Sequence, residues 1–117
     1  MKPVQKKLRL AKRDYYTMHL SLMNVFLPVK MTPKEIETLA NFMLFKEEPN
    51  IEMFGTSARK IVMNNMNIKP GGLGNYLRGL EEKGFLIPND IFKFTILPIL
   101  YPNSKVQNYQ FQFIENE

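Results

Sequence analysis

The sequence predicts an α+β protein of 117 residues, in which four helices lead into antiparallel strands. Three observations carry this expectation. Two stretches with helical spacing, over 57–66 and 71–83, follow one another across a tight turn. Gly84 closes the second, and the apolar run Phe85-Leu86-Ile87 starts at once. The last third of the chain then alternates apolar and polar residues with a period of two.

The central pair sets the frame for the rest. Ala58, Ile61, Val62 and Met66 recur at spacings of three and four and share one helical face. Leu73, Tyr76, Leu77 and Leu80 repeat the pattern in the second stretch. Between them, Asn67-Ile68-Lys69-Pro70 stops the first helix, since Pro70 disfavours a helical Lys69 and suits the opening turn of a new helix. Interior glycines disfavour helix by about 1 kcal/mol each relative to alanine. Pro70-Gly71-Gly72 is therefore expected as a partial loop that shortens the helix, with close approach of a partner to the backbone as the competing explanation. Gly84 supplies the left-handed C-terminal cap.

Upstream, 14–27 predicts a helix with Tyr15, Met18, Leu22, Val25 and Phe26 on its main apolar face, widened by Leu20, Met23 and Leu27. Strand alternation through Tyr16, Met18, Leu20 and Leu22 is the rival, and length favours the helix. So broad an apolar surface either crosses the core or forms a dimer interface. His19, the single histidine, has no clustered partner residues and reads as structural. Pro28 ends this element. The next, over 33–45, carries full start signals: Thr32 as N-cap, Pro33 at the first position, Glu35 completing a capping box, and Met31 with Ile36 as a hydrophobic staple. Ile36, Leu39, Ala40 and Met43 form its buried stripe, broadened by Phe42, Leu44 and Phe45. Ile51, Met53 and Phe54 are expected to fold back onto the core before Thr56 or Ser57 caps the following helix.

After Ile87, Pro88-Asn89-Asp90 is turn chemistry. Phe92, Phe94 and Ile96 alternate with Lys93, Thr95 and Leu97. Tyr101-Pro102-Asn103-Ser104 is expected at the tip of a long hairpin whose return strand places Tyr109, Phe111 and Phe113 opposite Asn108, Gln110 and Gln112.

The order helix, short turn, helix, glycine stop, apolar strand resembles the core of the winged helix-turn-helix DNA-binding superfamily. The run LGNYLRGLEEKGFLI, from Leu73 to Ile87, carries the most specific part of the likeness. The likeness covers about 31–114 and is nearest to MarR-like regulators or to the winged-helix modules of phage and plasmid proteins. It implies a three-helix core, an additional N-terminal helix and a C-terminal β-hairpin wing. The organisation is then a basic arm over 1–13 and a winged-helix domain over 14–117, with helices at 14–27, 33–45, 57–66 and 71–83 and the wing at 85–114.

Composition bounds the function. The chain suits one domain. It has no cysteine, which excludes disulfides and thiolate metal sites. The apolar run Tyr15–Leu27 is short and interrupted by polar residues, so no membrane span or membrane partner is expected, and the protein reads as cytoplasmic. The net charge of +5 is unevenly placed. Lys2, Lys6, Lys7, Arg9, Lys12 and Arg13 precede any acid, whereas the other 104 residues hold ten Lys or Arg against eleven Asp or Glu. The arm either follows phosphates or is a solvated extension, and the body is close to neutral.

The resemblance makes 71–83 the recognition helix, with Lys69, Gly71, Gly72, Gly74, Asn75, Arg78 and Gly79 leading or outward. Asn pairs with adenine and Arg with guanine in the major groove, which makes Asn75 and Arg78 the base-reading candidates and Lys69 a phosphate contact. Thr56, Ser57, Arg59 and Lys60 open the preceding helix and could hold phosphates, as could Lys93 and Lys105 on the wing. Lys6, Lys7, Arg9, Lys12 and Arg13 add the arm. Without that motif the same side chains are solvated surface charges. There is no cysteine nucleophile, no histidine–acid pair with a serine in motif context and no carboxylate–histidine set with metal spacing, so neither enzymatic activity nor a cofactor or metal is expected. KPGGLG lacks the phosphate-loop ending and the dinucleotide-binding glycine spacing. The leading expectation is a homodimeric transcriptional regulator reading duplex DNA, dimerised through its N-terminal helix. The rival is a protein-interaction or assembly module, such as a small phage packaging or virion component.

Overall fold

The computed structural model describes residues 11–90 and 93–102. Within them the chain is α+β: helices α1 (Lys12–Asn24), α2 (Pro33–Met43), α3 (Thr56–Met66) and α4 (Pro70–Glu82) precede an antiparallel hairpin of β1 (Leu86–Asn89) and β2 (Lys93–Ile96). A single 3₁₀ turn, Pro98–Leu100, follows. This arrangement is compatible with a winged helix.

Helix α2 is the centre of the fold, packed against α1, α3 and α4. Its start follows the sequence signals closely. The Thr32 hydroxyl accepts from the Glu35 amide at 3.1 Å, and the Glu35 carboxylate accepts from the Thr32 amide at 2.8 Å. Met31 and Ile36 on either side of this box are both buried. Because three helices surround α2, burial extends beyond the apolar stripe to Thr38 and Asn41. The Thr38 hydroxyl donates to the Lys34 carbonyl at 2.7 Å and the Asn41 amide to that of Glu37 at 2.8 Å, so neither side chain enters the core unsatisfied. The Asn65 side-chain amide of α3 donates to Asn41 Oδ1 across the helix pair at 3.2 Å.

Helix α1 differs from its expectation in both bounds and face. It starts at Lys12 and ends at Asn24, so Lys12 and Arg13 form its first turn instead of belonging to an arm. Tyr16, His19 and Leu20 point inward, while Met18, Val25 and Phe26 are 41%, 63% and 69% exposed. Both faces of this helix are apolar, which is why spacing alone selects the wrong one. Similarly, Ile61 of α3 is exposed, and Ala58, Val62 and Met66 make the inward stripe.

Gly55, not Thr56 or Ser57, occupies the N-cap of α3. At the other end Asn67 turns left-handed (φ 53°) and the Ile68 amide donates to the Met63 carbonyl at 3.0 Å. Three residues later α4 begins directly at Pro70, so Gly71 and Gly72 are helical and the expected partial loop does not form. A fixed proline φ at the first position and an extended Lys69 make that start possible despite the glycines. Helix α4 ends in a Schellman motif: Phe85 N–H donates to Leu80 at 2.9 Å, Gly84 N–H to Glu81 at 3.0 Å, and Gly84 takes φ 83°.

The hairpin closes around the turn expected at Pro88-Asn89-Asp90, although Pro88 and Asn89 themselves belong to β1. Its register pairs Leu86 with Ile96 and Asn89 with Lys93, so the turn at Asp90 closes it. Leu97 still donates to the Phe85 carbonyl at 3.0 Å, and Pro98 then interrupts the strand and starts the 3₁₀ turn. The expected tip at Asn103-Ser104 and the return strand over 106–113 lie outside the described residues, as do Lys6, Lys7, Arg9 and Lys105. The hairpin is fastened to the helices by an aromatic chain: Phe42 and Phe54 pack with tilted rings 4.7 Å apart, and Phe94 meets Phe54 edge-on at 5.5 Å.

Candidate nucleic-acid interface

Two consecutive helices, α3 and α4, present the residues singled out in the sequence. Ser57 and Lys60 are exposed on the first two turns of α3. Arg59 is half-buried, and its Nε donates to the Phe54 carbonyl at 2.8 Å. That bond ties Arg59 to the loop entering α3 and reduces its standing as a phosphate contact. Among the described residues, neither Gly55 nor Lys69 caps its helix with a side-chain hydrogen bond, so the first amides of α3 and α4 are open to outside acceptors.

On α4 the inward side is Leu73, Leu77 and Leu80, with Tyr76 half-buried beside them. Gly71, Asn75, Arg78 and Glu82 recur at spacings of four, three and four, and all are exposed. Lys69 is exposed just before the helix. The structure therefore brings Asn75 and Arg78 onto α4 and Lys69 to its N-cap, all three exposed. An added Cβ at Gly71 or Gly74 would meet nothing within 4 Å, so neither glycine is required by packing. Gly79 is different. A Cβ there would sit 2.2 Å from the Glu35 carboxylate, which makes Gly79 a contact with α2 and removes it from the outward set.

The electrostatics of this surface are mixed. Lys60, Lys69 and Arg78 contribute positive charge, and the exposed Glu82 lies on the same strip of α4 as Arg78. Lys93 is exposed at the start of β2 with φ 66°. Lys12 and Arg13 are exposed as well, but on α1, which packs against α2.

The groups with displaced titration lie elsewhere, around the 3₁₀ turn. Burial lowers the pKa of His19, opposed by a hydrogen bond with the Leu100 backbone. Burial raises Tyr16, with Glu47 and Tyr15 adding to the rise. Tyr101 is pushed up to about 12 by burial and by Tyr16. Its hydroxyl donates to the Met53 sulfur at 3.7 Å, and Lys46 Nζ stands 4.1 Å from its ring centroid. Among the described residues no three His, Asp or Glu side chains are grouped to hold a metal, and no helix is long and apolar enough to cross a membrane.

Sequence reasoning missed Glu35 as more than a cap. Its Oε1 also accepts from Lys83, the C-cap of α4, at 2.5 Å, and the Glu35 side chain is 6% exposed. A helical glycine at 79 followed four residues later by lysine was the available signal, with nothing in the sequence to name its partner. No protein-family model matches the chain, and no curated protein or solved structure matches it.

Proposed function

We propose that the chain is a winged helix-turn-helix protein that reads duplex DNA with α4 and acts in transcriptional regulation. The observation that carries this reading is the outward strip of α4. It offers an amide and a guanidinium, Asn75 and Arg78, beside glycines whose outward space is open. Asn and Arg are the side chains suited to adenine and guanine edges, and a bare helix backbone permits close seating in a groove. Lys69 and the uncapped amides at the start of α4 suit phosphates, as do Ser57 and Lys60 on α3. Lys93 would approach the flanking backbone from the hairpin. The sequence-basic segment through Arg13 supplies the long-range attraction that the near-neutral body lacks. A homodimer through α1 and the residues that follow it fits this reading, since Met18, Val25 and Phe26 are exposed there.

A salt titration of duplex binding tests the proposal. With several phosphates neutralised, the logarithm of the binding constant falls linearly with the logarithm of salt, by about 0.9 per phosphate. A constant that barely changes with salt removes the reading.

The same exposed apolar residues on and just after α1, with Val29 beyond them, favour a second reading: a protein-interaction or assembly module. Charge reversal at Lys69 and Arg78 separates the two. Loss of DNA retention with partner capture intact supports the regulator, and the reverse supports the assembly module.

A further inference from the structure

We infer that Glu35 is a positioning residue for α4: a buried carboxylate on α2 sets how α4 is rotated and tilted, and thereby how Asn75 and Arg78 are presented. Its bearing on base reading rests on the function proposed above. Its geometric content does not.

Three contacts converge on this side chain. Glu35 Oε1 accepts from the Thr32 amide at 2.8 Å, which fixes the carboxylate to the start of α2. The same oxygen accepts from Lys83 Nζ at 2.5 Å, at the last turn of α4. Oε2 faces the bare backbone of Gly79, where a Cβ would come within 2.2 Å. Gly79 and Lys83 are four residues apart and stack on one side of α4, so the carboxylate holds that helix at two successive turns. Glu35 is only 4% exposed, and its carboxylate can yield to a methyl at 79 only by giving up its bonds to the Thr32 amide and Lys83.

The contacted side borders the outward strip. Asn75 is one turn before Gly79 on the same side, and Arg78 is its immediate neighbour. A rotation of α4 that relieves pressure at Gly79 therefore redirects both side chains. The leucine face cannot prevent such a motion alone, because apolar packing is non-directional compared with a hydrogen-bonded ion pair. Glycine at 79 thus has a reason that glycine at 71 and 74 lacks: it admits the carboxylate.

The test compares the wild-type full chain with Gly79→Ala and with Gly79→Ala/Glu35→Asp. The shorter acid withdraws from the new methyl while keeping a carboxylate for Lys83. Amide residual dipolar couplings give the orientation of α4 relative to α2 in each protein, whether or not DNA is bound. The expected result is a reorientation of α4 in Gly79→Ala and a return toward the wild-type orientation in the double variant. Discrimination between a preferred and a scrambled duplex should fall about tenfold in Gly79→Ala and recover with the couplings, because base contacts depend on aim. The salt slope should stay unchanged, because phosphate contacts do not. A folded Gly79→Ala protein whose couplings match wild type overturns the inference. If the couplings move and return while no duplex is retained by any of the three proteins, the positioning role stands and the DNA reading fails.

Discussion

Asn24 holds both backbone polar groups of Met31. Its Nδ2 donates to the Met31 carbonyl at 3.1 Å, and its Oδ1 accepts from the Met31 amide at 2.8 Å. One side chain at the end of α1 thereby closes the seven-residue path to α2 and sets the buried Met31 beside the capping box. Removing it leaves a part-buried donor and acceptor without their partner. Asn24→Ala should destabilise the protein by about 1–3 kcal/mol. Asn24→Asp should recover part of that, since a carboxylate still accepts from the amide but cannot donate to the carbonyl. Denaturant titrations at neutral pH order the three proteins. Equal midpoints for wild type and Asn24→Ala refute the bridging role.

Thr32→Ala tests the neighbouring cap. The hydroxyl accepts from the Glu35 amide at 3.1 Å, and its loss should cost about 0.5–2 kcal/mol. Thr32→Ser keeps the acceptor and should stay near wild type in the same titrations.

The pH dependence of stability has a definite sign at each end. Burial holds the pKa of His19 below its ordinary 6.5, so the unfolded chain takes up the proton first. Stability is complete above about 6.5 and declines as pH falls toward the lower, folded-state value. Tyr101 behaves in the opposite sense. Its pKa is raised from 10.0 to about 12, so its contribution is complete below 10 and is lost as pH rises through that window. Thermal melts from about pH 5 to pH 8 should slope upward with pH, and His19→Gln should flatten them. A wild-type profile already flat between those limits contradicts the assignment to His19.

Elements with chemical punctuation were legible in the sequence. Thr32-Pro33 with Glu35 fixes the start of α2, and Gly84 fixes the end of α4, because each signal is local and uses its own backbone. What depends on neighbours was not. The face of α1 is chosen by contact with α2, and a helix apolar on two sides offers no local reason to prefer Tyr16 and Leu20 over Met18 and Val25. Gly71 and Gly72 are poor helix formers, yet Pro70 and the inward leucines hold them helical. Strand β1 runs on through Pro88 and Asn89, where turn chemistry pointed to its end, because both residues pair with β2. At the candidate interface, the exposure of Lys69, Asn75 and Arg78 followed from the leucine spacing. The local use of Arg59 and the pairing of Glu35 with α4 did not.

Glycine at three positions of α4 and its cap separates conformation from contact. Gly84 has φ 83°, and Gly84→Ala should cost about 1–2 kcal/mol even though nothing lies within 4 Å of the added methyl. Gly71 and Gly74 have ordinary helical backbone and the same empty surroundings, so alanine there should stabilise the fold by up to about 1 kcal/mol each. Helix propensity therefore opposes the native residues at 71 and 74. If α4 seats its backbone against duplex DNA, the new methyls occupy the space the duplex needs. The expected pattern for Gly71→Ala/Gly74→Ala is a higher melting temperature together with weaker DNA retention at fixed salt. Unfolding and filter-binding measurements on one preparation read both quantities. A double variant that is more stable and holds DNA as tightly as wild type would mean that the bare backbone of α4 is not where the nucleic acid sits.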